Sequence, residues 1–571
     1  MLRPLMLSSW LFAAGFLWSS ALSPLADTNP VDRSAATEVD RIFTRWSGPG
    51  SPGCAVGVVQ RGELVFEKGY GLANLEHDIP NTPTTVFYVA STSKQFTAAA
   101  IGLLLKRGKI SLEDEVRRYV PELPEYPEPV RVRHLLYHTS GISDYLELFA
   151  LAGVRLDDVH SESEIVEMLS RQVSLNFEPG TRFQYSNSGY FLLGLIVKRV
   201  SGKSLRQFAS EEIFQPLGMR DTRFHDERTE LVKRRASGYY SRKEGEYRNY
   251  LTHFDEVGDG GLMTTVRDLF LWDSEFYRPR LEEGTLTPLL TSPGTLDGGQ
   301  SLNYAFGLAL GEHRGLRMFS HGGSFLGFKS EFLRLPERDL SVICLCNHSG
   351  IEATRLARQV ADVYLGLTTV RESQVSGNST IVGDSEAARG GSNSVFGKDG
   401  LFREPVTGSL WKFSKQDEQL VASVDGQKVA LVPAGENRFR SVDAPIDLDI
   451  RFDPLPRGEA PRVRLQVEGQ APVQLEPLQP LAPSASQLGL YAGNYYSEEL
   501  QVTYQLFVHE KALFLRVRNA SDAPVTPVVS DVFRVEGKNL LFSRDQQHRI
   551  AGFWLSNGRI RGLWYSRLVP E

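Results

Sequence analysis

The sequence predicts an α+β domain followed by an all-β C-terminal region. Three observations carry this. Between residues 52 and 365 strand and helix patterns both occur: a hairpin at 52–75, helical runs between 94 and 276, and three strands within 303–347. Residues 371–399 are rich in Ser, Gly, Asn and Asp with little apolar periodicity, the composition of a linker. From residue 400 onward short alternating segments follow one another, such as QLVASVDG and RVRLQVEG, the pattern of antiparallel strands.

The chain has 571 residues, enough for about three or four domains. Its 41% hydrophobic and 23% charged residues fit a soluble globular protein. Net charge is −6 with no long basic stripe, which argues against nucleic acid or an anionic membrane as the main partner. Residues 1–21 combine Arg3, an apolar run from Leu5 to Trp18 and small residues at Ser19 and Ala21. This is the pattern of a secretory signal peptide cleaved after Ala21, so a periplasmic or secreted protein is expected. No cysteine lies near its end, so a lipoprotein signal is absent, and no later membrane span is legible. Cys54, Cys344 and Cys346 are the three cysteines. An odd count leaves at least one free thiol unless chains pair. Cys344 and Cys346 share one face of a strand, and buried, inert thiols are expected there rather than a redox role.

Residues 55–59 and 64–66 form the arms of the first hairpin, turning at Arg61-Gly62. An extended run, Val86 to Ala90, leads into Ser91, and a helical run with Phe96, Ala99 and Leu103 follows and ends at Gly108. Ser91 thus sits at a helix N-terminus, where free N–H groups favour developing negative charge. Lys94 shares its helical face. A serine hydroxyl needs a base to become a nucleophile, and a lysine can serve. Ser-x-x-Lys alone is weak evidence, and the chain repeats it at Ser409 to Lys412. His134 and His138 are spaced i, i+4 but lack the acidic partner of a HExxH site, so no metal is expected. Residues 162–172 read as a helix. Tyr185-Ser186-Asn187 lies in a loop before the apolar helix Phe191 to Val200, which Gly202 ends. Thr265 reads as an N-cap with Asp268 in capping-box position. The three strands are NYAFGLAL, then MFSHGGSFLGFKSEFLRL, entered through His321-Gly322-Gly323, then LSVICLCN. Glycines beside a strand let another backbone or a ligand come close.

Beyond the linker, two blocks look alike. Gly-Leu-Phe-Arg from Gly400 parallels Gly-Asn-Tyr-Tyr from Gly493, and each block ends in paired strands. Two barrels of about eight strands each are expected, with one larger split barrel as the alternative.

Ser91-Thr-Ser-Lys94, Tyr185-Ser-Asn187 and His321-Gly-Gly323 stand in one order. With the flanks LLYHTSGI, FEPGTRFQYSNSGYFLLGLIVKRVSG, GDGGLMTT and YAFGLAL, the chain resembles the serine hydrolases of the class C β-lactamase and penicillin-binding superfamily over roughly residues 35–365. The resemblance implies a β-lactamase/transpeptidase-like domain: an antiparallel sheet covered by helices, built from both ends of the domain, with a helical region inserted. The expected domains are 35–370, then the linker 371–399, then lipocalin-like barrels at 400–482 and 486–571.

The resemblance also implies the roles. Ser91 attacks a carbonyl, Lys94 and Tyr185 move its proton, and Asn187 fixes Lys94 and substrate. His321, Gly322, Gly323 and Ser324 line the substrate side, with the Ser91 and Ser324 N–H groups as oxyanion donors. No metal or organic cofactor is needed. His-Gly-Gly stands where β-lactamases have Lys-Thr-Gly. A neutral histidine attracts a substrate carboxylate less than lysine does, so efficient β-lactam hydrolysis is not expected. His-x-Gly and the trailing barrels are similar to the layout of D-aminopeptidases. The expected function is an exported hydrolase acting through an acyl-enzyme on D-amino-acid peptides, amides or small esters. The alternatives are a penicillin- or cell-wall-peptide-binding protein with little turnover, a β-lactamase or a DD-carboxypeptidase. The partner is a small-molecule or peptide substrate.

Overall fold

Strand β1 (Cys54–Gln60) and strand β2 (Glu63–Tyr70) form the first hairpin, turning at Arg61-Gly62 where both residues take positive φ. The computed structural model describes residues 30–569 apart from 244, 251–252, 368–399, 406–408, 417–418, 425–426, 442–447, 454–461, 468–471 and 479–482. The signal peptide and the linker expected from the sequence lie outside the described residues.

Four further strands complete the sheet: β3 (Ala309–His313), β4 (Leu316–Phe325), β5 (Phe328–Leu335) and β6 (Leu340–Cys346). Their order is β3-β4-β5-β6-β1-β2, antiparallel throughout, so the C-terminal strand β6 pairs with β1 and both ends of the domain meet in one sheet. Two expectations are corrected here. The long second strand is two strands, because Leu326, at φ 46, and Gly327 make a tight turn. The first strand begins at Ala309, leaving Tyr304 outside it.

Side-chain alternation divides the sheet into two cores. Val56, Val58, Val342 and Cys344 face helix α1 (Pro30–Ile42) and a later helix at Ala353–Tyr364. Ala55, Val59, Ile343 and Leu345 face the other way, toward helix α2 (Lys94–Lys106), which follows Ser91, and the helical region. That region includes α3 (Tyr145–Leu151), α4 (Asn187–Ser201), α5 (Val266–Tyr277) and α6 (Leu286–Leu290). Helix α5 lies so close on β1 that a Cβ at Gly57 would meet Val266 Cγ1 at 2.4 Å. Thr265 caps α5 as expected, its side chain accepting from the Asp268 N–H. The Asp268 carboxylate instead accepts from Asp221 N–H and the Thr222 hydroxyl.

The cysteines depart from expectation. Cys54 and Cys346 are direct register partners on β1 and β6 and form a disulfide; Cys344 is the free, buried thiol. The strand pairing that brings Cys54 and Cys346 together joins residues 292 apart in sequence.

The C-terminal region forms two closed eight-stranded barrels, not one split barrel. Gly400–Arg403 closes on Val473–Leu478 in the first, and Gly493–Ser497 on Leu563–Leu568 in the second. The first barrel has its own core around Phe413, Ile450 and Phe452. The second shares a continuous core with the catalytic-side helices, and Tyr504 Oη donates to Leu151 O at the end of α3 (2.8 Å).

Candidate active site

Ser91 lies in a 3₁₀ turn, Ala90–Ser93, that runs directly into α2. Ala90 holds φ 47, a strained value for a residue with a Cβ, immediately before it. The turn is tied down on several sides. Ser93 Oγ donates to Ala90 O and accepts from the Leu262 N–H. Thr92 Oγ1 donates to His321 O (3.1 Å), and Ser330 Oγ donates to Val89 O (2.8 Å), which ties the turn to strands β4 and β5.

Lys94 is fully buried, and its Nζ has three hydrogen-bond partners. These are Ser91 Oγ (3.0 Å), Asn187 Oδ1 (3.0 Å) and Asp259 O (2.7 Å), all neutral oxygens. Asn187 is the first residue of α4, four positions earlier than the apolar pattern predicts. The early start has a partner: Asp144, the N-cap of α3, accepts from both the backbone N–H and Nδ2 of Asn187 (2.9 Å each). Tyr185 is half-buried, with its ring centroid 4.9 Å from Lys94 Nζ and 4.2 Å from the His138 ring.

His321 is buried. Its Nδ1 lies 2.7 Å from Gly322 O, which can only accept, so Nδ1 carries the proton; Nε2 then accepts from Tyr304 Oη (3.1 Å). Burial, with Lys94 nearby, pushes its pKa down to about 3. The imidazole is therefore neutral at ordinary pH. The space at Gly323 is taken by protein: a Cβ there would meet Val89 O at 2.2 Å and Ser330 Oγ at 2.3 Å. Gly322 faces Glu331. Ser324 is exposed and its Oγ accepts from Lys329 Nζ. The fold thus gathers Ser91, Lys94 and Asn187 by direct hydrogen bonds, stacks Tyr185 against them, and runs β4 with His321 to Ser324 along the turn.

Sequence reasoning missed several neighbours. His138, read there only as half of an unfilled metal pair, sits at φ 56 among Tyr185, Tyr190 and Tyr304. Its Nδ1 accepts from the Ser186 N–H, and burial, then Lys94, hold its pKa well below 6.5. Asp144 had a legible signal as an acidic residue heading the run Tyr145–Leu151. Asp259 had none. Its carboxyl is buried against Tyr145 Oη (3.1 Å), and burial raises its pKa to about 6 against the pull of Lys94. Arg559 also had none. It comes from the turn between the last two strands of the second barrel, and its guanidinium lies 5.4 Å from the Tyr185 ring. Backbone carbonyls of that turn accept from Asn176 Nδ2 (Arg559 O, 2.9 Å) and Gln184 Nε2 (Gly558 O, 3.0 Å).

An antiparallel sheet covered by helices, with Ser-x-x-Lys at the head of a buried helix, defines a serine hydrolase. Residues 39–365, more than half of the chain, match the Beta-lactamase family, and the chain belongs to it. It is similar to a penicillin-binding protein of Bacillus subtilis (strain 168), 33% identical over 301 residues, 50% of this chain and 66% of that one. A D-aminopeptidase of Gluconobacter oxydans (strain 621H) is 31% identical over 327 residues, 57% of this chain and 60% of that one. A D-aminopeptidase of Brucella anthropi is 26% identical over 570 residues, 93% of this chain and 98% of that one. The alignments thus span less than two thirds of the first two relatives and nearly all of the third. The octameric penicillin-binding protein homologue from Pyrococcus abyssi shares the fold, with a TM-score of 0.54 at 23% identity over 78% of this chain and 99% of that one.

Proposed function

We propose that this serine hydrolase is exported and acts through an acyl-enzyme on D-amino-acid peptides, amides or small esters. The observation that carries the chemistry is Lys94 Nζ 3.0 Å from Ser91 Oγ, held there by Asn187 and the Asp259 carbonyl. Ser91 Oγ attacks the substrate carbonyl carbon. Its proton passes to Lys94 Nζ, with Tyr185 beside it, and from there to the leaving amine or alcohol as the carbonyl re-forms. Water then cleaves the acyl ester by the same proton path in reverse. Ser91 heads α2, so the partial positive charge of the helix terminus favours the oxyanion. Asn187 positions Lys94. The Ser324 N–H is the second oxyanion donor.

A D-amino-acid substrate is supported by the D-aminopeptidase relatives, one of them aligned along nearly the whole chain. A neutral His321 supports a carbonyl reaction that does not need a cation for a substrate carboxylate. Export is supported by the pattern of residues 1–21 and by a disulfide between distant strands, which persists in oxidising compartments.

The test is a fluorophosphonate probe followed by peptide mapping, with Ser91→Ala as control. One adduct on Ser91 and turnover of D-amino-acid amides over their L mirror images support the reading. An adduct without turnover of any amide, ester or chromogenic β-lactam moves it to a binding protein, a reading favoured by the penicillin-binding relative. N-terminal sequencing of protein from the culture medium or periplasm tests export.

A further inference from the structure

A cavity of about 200 Å³ lies at the C-terminal end of α5, where it meets α6, β4 and β5, and it contains none of the active-site residues. Phe276, Tyr277, Phe319 and Pro336 form apolar walls; Arg317 and Arg334 are its cations. Arg334 is 1% exposed, and its guanidinium is sandwiched between the Phe276 and Phe332 rings at 3.8 and 3.9 Å. Nε donates to Asp273 Oδ1 (2.8 Å). Nη1 and Nη2 are buried and have no partner, while Asp273 also has the Ser341 hydroxyl beside it. Buried guanidinium donors are nearly always paired, so two unpaired η nitrogens call for a physical account.

Charge and shape narrow what could complete it. Asp273 balances one charge. Arg317 supplies a second cation at the rim, with its side chain 63% exposed and only loosely paired with Glu337 (3.8 Å). A planar two-nitrogen edge matches a carboxylate in bidentate fashion. The aromatic walls suit an apolar body, and the volume falls below the roughly 300 Å³ at which drug-sized pockets begin. We propose that this cavity binds a small organic carboxylate with a short apolar body, its carboxylate on Nη1 and Nη2 of Arg334 and its body among Phe276, Tyr277 and Phe319.

Crystals of the full chain soaked in 4-bromobenzoate test this directly. The expected result is an anomalous bromine peak between Phe276 and Phe319 with the carboxylate within hydrogen-bond distance of both η nitrogens. In solution, 4-bromobenzoate is expected to raise Tm saturably, neutral 4-bromobenzamide is not, and Arg317→Ala is expected to weaken the apparent affinity about twofold to fivefold. Arg317 is exposed, so that variant keeps the fold where an Arg334 substitution could lose it. A bromine peak only near Ser91, an ordered water joining the η nitrogens to Asp273 Oδ2 in the soaked crystals, or equal effects of acid and amide would overturn the proposal.

Discussion

Arg559 Nη1, from the second barrel, lies 3.4 Å from Asp144 Oδ2, a fully buried carboxylate that also holds both donors of Asn187. A residue of the last domain is therefore four side-chain contacts from Ser91, through Asp144, Asn187 and Lys94. The two ends of this pair are not equivalent. Removing Asp144 leaves two buried Asn187 donors unpaired and uncaps α3. Asp144→Ala is expected to cost about 2–4 kcal/mol in urea unfolding and to lower kcat as Asn187 releases Lys94. Arg559→Ala leaves Asp144 with its Asn187 and Leu146 donors, and Arg559 is itself 42% exposed. Its expected stability loss is under about 1 kcal/mol, with the effect falling on KM.

Lys94 is the centre of this network. Lys94→Met fills the same volume but leaves Ser91 Oγ, Asn187 Oδ1 and Asp259 O without their donor. Turnover is expected to fall by at least about a thousandfold, as when a base that works with a serine is removed, while circular dichroism stays native. An Asn187→Ala variant that lost nothing would show that Lys94 needs no positioning from that side.

Acid stability follows from His321. Unfolded, a histidine titrates near 6.5; folded, His321 titrates near 3. Between those values the unfolded chain binds more protons, so stability is lost as pH falls from 6.5 toward 3 and is complete above 6.5. Burial places His134 on the same side, at about 4. Asp259 opposes them. Its folded value of about 6 lies above the unfolded value of 3.8, so its contribution is present in acid and lost as pH rises through 6. His321→Gln removes one titration of the first kind. Urea unfolding of the variant between pH 4 and 6 is expected to have a slope shallower by up to about 1.4 kcal/mol per pH unit. An unchanged slope would mean that His321 is not held neutral.

What the sequence made legible were local relations. Ser91 and Lys94 sit one helical turn apart, so their meeting is written in four residues. The repeat of Gly400 and Gly493 marked the first strand of each barrel, because each closed barrel begins the same way. Relations set by tertiary register were not legible. Nothing near Cys54 says that its strand pairs with β6 in the register that meets Cys346, so the disulfide was not legible and an inert thiol was expected at Cys346. The start of α4 at Asn187 was hidden because its capping carboxylate comes from Asp144. Tyr304 lies in an irregular segment and reaches His321 only because the chain turns back at Ala309.

The cysteine pattern makes a counting prediction. In the folded protein Cys344 is buried and burial raises its pKa strongly, so a thiol reagent is expected to find no reactive group. In denaturant without reductant one thiol should react, and after reduction all three. Two or more reactive thiols before reduction would overturn the Cys54–Cys346 bond. Cys54→Ser is expected to cost about 2–4 kcal/mol, mostly by freeing the unfolded chain. Activity should survive at moderate temperature, since β1 and β6 stay paired through six other register positions.

The last prediction concerns the barrel turn at the active site. Asn557 Nδ2 donates to Glu147 Oε2, Gly558 O and Arg559 O accept from Gln184 and Asn176, and the Arg561 N–H donates to Asn176 Oδ1. These bonds hold the turn against the loop that carries Tyr185, and the prediction is that the turn walls the approach to Ser91. Deleting residues 400–571 would test this poorly on its own, because it also strips Tyr504 and a shared apolar core from α3. Shortening the 557–561 turn while keeping both flanking strands isolates the wall. Kinetics on a series of amides of increasing acyl size are expected to show kcat/KM rising for the larger members and changing little for the smallest. Equal change across the series, or none, would give the second barrel a purely supporting role.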